Sequence, residues 1–116
     1  MNKQTVVFDF DGVIHSYVSG WQGAEIANDP VVRGIQSAIN TLRMDGYEVV
    51  VVSTRCATPE GVKAVKQYLS DNHIVVDDVM KEKPPAICYI DDRAICFDGH
   101  PETLVDKIKT FKPWNK

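Results

Sequence analysis

Val6-Val7-Phe8-Asp9-Phe10-Asp11-Gly12-Val13 is the stretch on which the reading of this chain turns. An apolar run with the character of a buried strand ends in two carboxylates spaced two apart, and a glycine follows at once. Side chains at i and i+2 of a strand point to the same side. Asp9 and Asp11 are therefore expected to emerge together at the carboxyl end of a strand, where open α/β sheets place their ligands. Gly12 lets the chain turn sharply and lets a ligand come close to the backbone. Two acids so placed repel one another unless a metal ion or a proton offsets their charge. That arrangement suggests chemistry.

Working outward, Thr5 to Phe10 reads as a first strand covered on both faces, because its apolar character is almost unbroken. Residues 12–29 read as a long loop carrying Gly12, Gly20, Gly23, Tyr17 and Trp21, and a loop of that length in a small domain is often functional. Asp29-Pro30 has the form of a helix start, and Val31, Ile35, Ala38, Ile39 and Leu42 follow with helical spacing up to Asp45-Gly46. Tyr47 to Val52, with four successive valines, predicts a second buried strand. Thr58-Pro59-Glu60 opens a second helix with Val62, Val65, Tyr68 and Leu69 on its inner stripe and Asn72-His73 at its exit. A short strand is expected near Asp77 to Val79, a loop at Lys81 to Pro85, and a further buried strand from Ala86 to Ile90. A short strand at Ile95 to Phe97 and a last helix from Pro101 to Phe111 complete the prediction. Strands alternating with helices predict an α/β fold, a three-layer, doubly wound parallel sheet with helices on both faces.

The chain has 116 residues, the length of a single domain with enough core to fold alone. Its formal charge of −3 leaves no overall basic footprint for nucleic acid. Cys56, Cys88 and Cys96 include no CxxC pair, which speaks against a disulfide framework or a zinc site, and Cys88 is expected to be inert packing. The first residues lack a signal-peptide pattern, and no apolar run approaches ~18 residues. The expectation is a soluble, cytoplasmic protein with no membrane partner.

Three of the expected strands end in polar residues whose chemistry is complementary. They are Asp9 and Asp11, Ser53-Thr54-Arg55, and Asp91-Asp92. Lys83 lies just ahead of the last of these strands. In a parallel sheet such ends converge on one edge although they are far apart along the chain. Bland readings stand beside each sharp one. Ser53 could cap the segment after it, Lys83 could be a solvated loop lysine, and Asp92 could anchor Arg93 or a backbone amide. Arg55 could reach either a substrate or an acidic neighbour, and Cys56 reads as a small loop residue. His15 and Trp21 could line an entrance, with a Trp packed beneath the loop as the alternative. His73 and Asp77-Asp78 read as ordinary surface groups.

At these residues the chain resembles the haloacid dehalogenase-like (HAD) hydrolase superfamily, whose members are mostly phosphatases. Its first motif, DxD before small or apolar residues, matches Asp9-Phe10-Asp11-Gly12-Val13, and its second, a Ser or Thr ending an apolar strand, matches Ser53. The family's third motif, a lysine, fits Lys83, with Lys81 a weaker candidate, and the acidic fourth motif matches Asp91-Asp92. All four occur in the family's order across residues 5–92. The resemblance implies a single capless domain over residues 1–116, since neither the 12–29 loop, which would act as a flap, nor the segment between the second and third motifs has room for a folded cap.

What the resemblance implies for chemistry is a Mg²⁺-dependent phosphomonoester hydrolase working through an aspartyl-phosphate. Asp9 would attack phosphorus. Asp11 would protonate the leaving oxygen and then take a proton from water. Mg²⁺ would sit among Asp9, the backbone carbonyl of Asp11, Asp91 and, directly or through water, Asp92. A carboxylate ~4 Å from each unit of phosphate charge is repelled by about 4 kcal/mol at an effective dielectric of 20. Mg²⁺, the Lys83 ammonium and a protonated Asp11 would reverse that balance. The Ser53 hydroxyl and the Thr54 amide would hold phosphate oxygens, with Arg55 a further substrate contact. An open site admits a small metabolite, a nucleotide or a polynucleotide 3′-end, and the Ser53-x-Arg55 and Asp91-Asp92-Arg93 patterns resemble those of capless polynucleotide 3′-phosphatase domains in the superfamily. A phosphotransferase would share every one of these residues. A dehalogenase has no use for the acid at position 11. A phospho-accepting receiver domain usually has an adjacent first acidic pair, and a binding protein retaining the fold without turnover completes the alternatives. Oligomeric state is not readable from the sequence.

Overall fold

The computed structural model describes residues 3–116. Strands β1 (Thr5–Asp9), β2 (Glu48–Val52), β3 (Asp78–Met80) and β4 (Cys88–Ile90) form one parallel sheet in the order β3-β2-β1-β4. Helix α1 (Ile35–Met44) joins β1 to β2 and α2 (Pro59–Asp71) joins β2 to β3. A short α3 (Leu104–Lys109) follows a 3-10 turn at Pro101–Thr103, and another 3-10 turn spans Thr54–Ala57.

The run of valines explains the sheet's centre. Val49 and Val51 share one face with Val6 and Phe8, and this face packs against Ile39 of α1 and Val65, Tyr68 and Leu69 of α2. Val50 and Val52 join Val7 on the other face, where Met80 and Ala86 pack against them. Each fully buried valine contributes roughly 1.5–3 kcal/mol, so a strand buried on both faces is the stable place for this sequence.

Both crossover helices lie on one face, as right-handed connections running in one direction across the sheet require. The expected second helical layer is not built by a crossover, because β3 and β4 are joined by the 81–87 segment, which carries the two successive prolines and no helix. The Ala86–Ile90 strand shortens to Cys88–Ile90 and lies exposed at the sheet edge, so Cys88 is an exposed thiol rather than packing. Ile95 to Phe97 forms no strand, and the last helix is split and ends at Lys109.

Helix α1 begins after Gly34, whose φ of 89° is a left-handed conformation, rather than at Asp29-Pro30. Asp29 is engaged elsewhere: its carboxylate accepts from the Ser19 N–H and hydroxyl, its own N–H donates to His15, and its carbonyl accepts the Tyr68 hydroxyl. Val31 bridges to His15 instead of starting a helix. Asp77 is likewise more than a surface charge. It pairs with Arg43 of α1 at 3.2 Å and accepts the Val49 N–H at 2.8 Å, tying helix to sheet.

The direction of travel reverses at β1, which has β2 on one side and β4 on the other. Ligands of open α/β sheets lie in the crevice outside the strand ends at such a reversal. Among the described residues no helix is long and apolar enough to cross a membrane.

Candidate active site

Strand register brings the polar residues together. Phe8 pairs with Ile90 and Asp9 with Val52, so Asp91 continues alongside Asp9 and Ser53 follows one step beyond. At these ends opens a cleft of about 290 Å³ lined by Asp9, Asp11, Ser53, Thr54, Asp91, Asp92 and Arg93, with Tyr17 and Trp21 at its rim.

Asp9, Asp91 and Asp92 each place a carboxylate oxygen within 4.8 Å of the others. Among the described residues Asp9 has no lysine, arginine or histidine ion-pair partner. Burial first, and the nearby Asp91 and Asp92 carboxyls second, push its pKa up to about 8. The Asp91 and Asp92 carboxyls thus crowd Asp9, and the negative charge they concentrate there favours a neutralising partner. Three carboxylate oxygens gathered this closely make a donor set suited to a hard divalent ion such as Mg²⁺. Asp91 is supported from outside: it accepts the Arg93 N–H at 2.9 Å and faces Lys83 Nζ at 3.3 Å. These contacts outweigh its burial and hold its carboxyl below the usual range. Gly12 belongs to the same unit, since a Cβ there would collide with the Asp92 carboxylate.

Asp11 is held quite differently. Its Oδ2 accepts from Arg55 Nε at 2.9 Å, and its Oδ1 from Arg55 Nη2 at 3.1 Å and His15 Nδ1 at 2.8 Å. Because the Asp29 N–H donates to His15 Nε2 at 3.1 Å, the ring proton sits on Nδ1 and points at Asp11. Burial alone would raise the Asp11 pKa, but the His15 and Arg55 hydrogen bonds overcome it and the carboxyl is lowered. The protonated Asp11 expected from the sequence is thus not the form its surroundings favour. Nor does its carboxylate join the acidic triad, since Arg55 and His15 hold it apart.

Of the two partners the sequence offered Arg55, a substrate or an acidic neighbour, the structure shows the acidic neighbour. The Arg55 side chain is fully buried behind Asp11 and Trp21 and does not itself line the cleft. Beyond Asp11 it donates from Nη1 to the carbonyls of Gly23, Ala24 and Ile26 at 2.9–3.0 Å. One guanidinium therefore fastens the acidic motif to the loop that follows it. Gly61 at the start of α2 allows this, because a Cβ there would overlap the Arg55 carbonyl.

Ser53 is buried at the tip of β2, and its hydroxyl oxygen accepts the Arg55 N–H at 3.1 Å, leaving the hydroxyl proton to be donated elsewhere. Thr54 is exposed on the cleft wall. Lys83 reaches the site only through Asp91, with its ammonium 5.6 Å from the Tyr89 ring centroid, and lies outside the cleft lining. Among the described residues Lys81 has no ion-pair partner.

The 12–29 loop is not a free flap. The Phe10 carbonyl accepts the N–H groups of Val13, Ile14 and His15, and these three side chains are buried. Only the segment from Tyr17 onward reaches the rim. The chain's last residues also meet this loop: Trp114 Nε1 donates to the Gly12 carbonyl at 2.7 Å and Asn115 to the Ser16 carbonyl at 3.1 Å. Contacts across a hundred residues leave no trace in local sequence, whereas the i, i+4 spacing of Asp11 and His15 was there to be read.

No family model and no curated protein matches the chain. In solved structures, chains of the Pnkp1/Rnl/Hen1 complex (18% identity, TM-score 0.57) and of the Pnkp1/Rnl/Hen1 RNA repair complex (16%, 0.56) are similar to it over 93% of its length. The chain spans about a third of those chains, 36% and 32%. At these identities the likeness is one of fold.

Proposed function

We propose that this chain is a capless, HAD-like phosphomonoester hydrolase that uses Mg²⁺ and an aspartyl-phosphate intermediate on Asp9. The observation that carries the reading is the contrast between two neighbouring acids: among the described residues Asp9 has no cationic partner, and it faces the cleft, while Asp11 is tied by Arg55 and His15. A structural acid would have the pairing the other way. The reversal of sheet order at β1 also accords with the doubly wound, HAD-type arrangement.

Asp9, Asp91 and Asp92 would hold the cation. When bound, it supplies positive charge that offsets the carboxylates and the phosphate oxygens. Asp9 attacks phosphorus, forming the acyl-phosphate bond as the bond to the leaving oxygen breaks. The Ser53 hydroxyl donates to a phosphate oxygen during transfer. Asp11 begins ionised, but an arriving phosphate changes its balance. Each unit of negative charge ~4 Å away raises a neighbouring acid by about 4 kcal/mol at an effective dielectric of 20, or about three pKa units. Asp11 thereby takes up a proton with substrate, passes it to the leaving oxygen, and recovers one from the water that hydrolyses the intermediate.

The fold similarity to chains of an RNA repair complex adds a polynucleotide end to the substrates worth testing. The test is hydrolysis of an aryl phosphate with Mg²⁺ or chelator, for the parent protein and for Asp9→Asn. Metal-dependent turnover that disappears in the variant is expected. Metal-independent turnover, or undiminished rate in Asp9→Asn, would overturn the mechanism.

A further inference from the structure

Trp21 is 56% exposed, yet it stands at the rim of the acidic cleft rather than on an idle surface. Its ring lies 4.9 Å from the Arg55 guanidinium carbon. All the hydrogen bonds of that guanidinium run from its edge to Asp11, Gly23, Ala24 and Ile26, which leaves its faces to aromatic rings and fixes its plane. Phe10 takes one such contact at 5.8 Å within the core. Trp21 makes the nearer contact at the cleft rim, and more than half of its surface stays open. An indole so anchored contributes little by burial, and its exposed ring is preorganised for a planar partner.

Tyr17, the second ring at the rim, has a φ of 61°, a left-handed conformation that is uncommon for a bulky side chain. Backbone strain of this kind persists where the surroundings impose it, often beside a ligand. The Tyr17 ring meets His15 edge-on at 6.0 Å, so the same network that orients Asp11 also holds Tyr17. A cleft of about 290 Å³ has room for roughly ten waters, well beyond a single phosphoryl group.

We propose that Trp21, backed by Arg55 and neighboured by Tyr17, is a stacking platform for a nucleobase, so that the site selects the phosphate of a nucleotide. The proposal rests on the phosphatase reading for where the phosphate lies. Base–aromatic stacking of about 1–3 kcal/mol corresponds to roughly a 5- to 140-fold preference at 1.4 kcal/mol per tenfold.

Adenosine 5′-monophosphate and ribose 5-phosphate share sugar and phosphate and differ by the base. The parent protein is expected to favour the nucleotide in kcat/KM by about fivefold or more. Trp21→Ala should bring that ratio to within about threefold of unity, and Trp21→Phe, which keeps a ring, should retain most of it. No preference in the parent protein, or an equal fall for both substrates in Trp21→Ala, overturns the proposal. A second pair, adenosine 3′-monophosphate and a 3′-phosphorylated oligonucleotide, separates a free nucleotide (equal KM) from a strand end (lower KM for the oligonucleotide), each outcome retaining the stacked base. If no phosphate is released from any substrate, the phosphatase reading falls. The stacking claim is then decided by titrating Trp114→Phe, in which Trp21 is the sole indole, with both 5′-phosphates. Quenching by the nucleotide alone sustains the claim, and equal or absent quenching ends it.

Discussion

Replacing Arg55 by methionine tests the network behind the site. The stem is preserved in length, but the change removes two N–H donors from Asp11 and the shared donor of three loop carbonyls, all around a side chain with no exposed surface. Breaking a buried ion pair by deleting one partner costs about 3–5 kcal/mol, because the remaining charge is left uncompensated. Asp11 keeps the His15 hydrogen bond and some water access, which places the expected loss nearer 3 than 5. At 0.05–0.15 kcal/mol per residue, a 116-residue domain has roughly 6–17 kcal/mol in total, so the variant should fold but with much of its margin gone. Arg55→Lys, which restores charge without the two-pronged geometry, should fall between the two. Urea denaturation of the four proteins of the Arg55→Met, Asp11→Asn cycle measures the coupling directly. With the carboxylate charge removed, losing the guanidinium should hurt less, giving a coupling of about 2–3 kcal/mol, at the top of the range for contacting residues. Arg55→Met within ~0.5 kcal/mol of the parent, the size of an ordinary surface substitution, would refute the reasoning.

Gly12→Ala should both strain the backbone and displace Asp92. At φ +85° a side chain costs about 1–2 kcal/mol, and the new Cβ would overlap the Asp92 carboxyl group. Calorimetry should therefore find weaker Mg²⁺ binding as well as a lower Tm, and unchanged cation affinity would separate Asp92 from the ion. A pH series tests Asp9. Its carboxyl binds a proton more tightly when folded, so its contribution to stability is full below its ordinary value of 3.8 and is lost as the pH rises through about 8. Asp11 and Asp91, both lowered, act in the opposite sense, and their contributions are lost as the pH falls below that ordinary range. In chelator, Tm should decline between about pH 5 and 8, and added Mg²⁺ should raise it more at pH 8 than at pH 5. A cation effect independent of pH would count against Asp9 as a ligand.

The strands that matter most were legible because their apolar runs are unbroken and end in polar residues. Val49 to Val52 and Val6 to Phe8 allow no other arrangement that buries alternate side chains on both faces. The errors lie where local chemistry was recruited by tertiary contacts. Asp29-Pro30 has every local mark of a helix start, yet the Asp29 carboxylate, amide and carbonyl are all consumed by Ser19, His15 and Tyr68. The Ala86–Ile90 run is apolar enough for a buried strand, but it pairs on one side only and lies exposed. Hydrophobicity alone does not distinguish a centre strand from an edge strand.

The acidic residues of the site were legible for the reason that the DxD spacing and the second acidic pair already implied repulsion needing an outside charge. What sequence could not rank was which acid would receive a protein cation. Ser53-Thr54-Arg55 suggested a phosphate grip, and the guanidinium is the more natural anion ligand of the three. Its path is decided by Gly61, which lets α2 press on the Arg55 carbonyl, and by the loop carbonyls at 23, 24 and 26, which face the buried guanidinium. Once Arg55 is committed inward, Asp11 is neutralised by the protein and Asp9 is left to be neutralised from outside. The division of labour between two acids of the same type thus follows from the packing of a glycine six residues beyond the arginine. A bulkier residue at 61 is expected to disturb Asp11 before it disturbs Asp9.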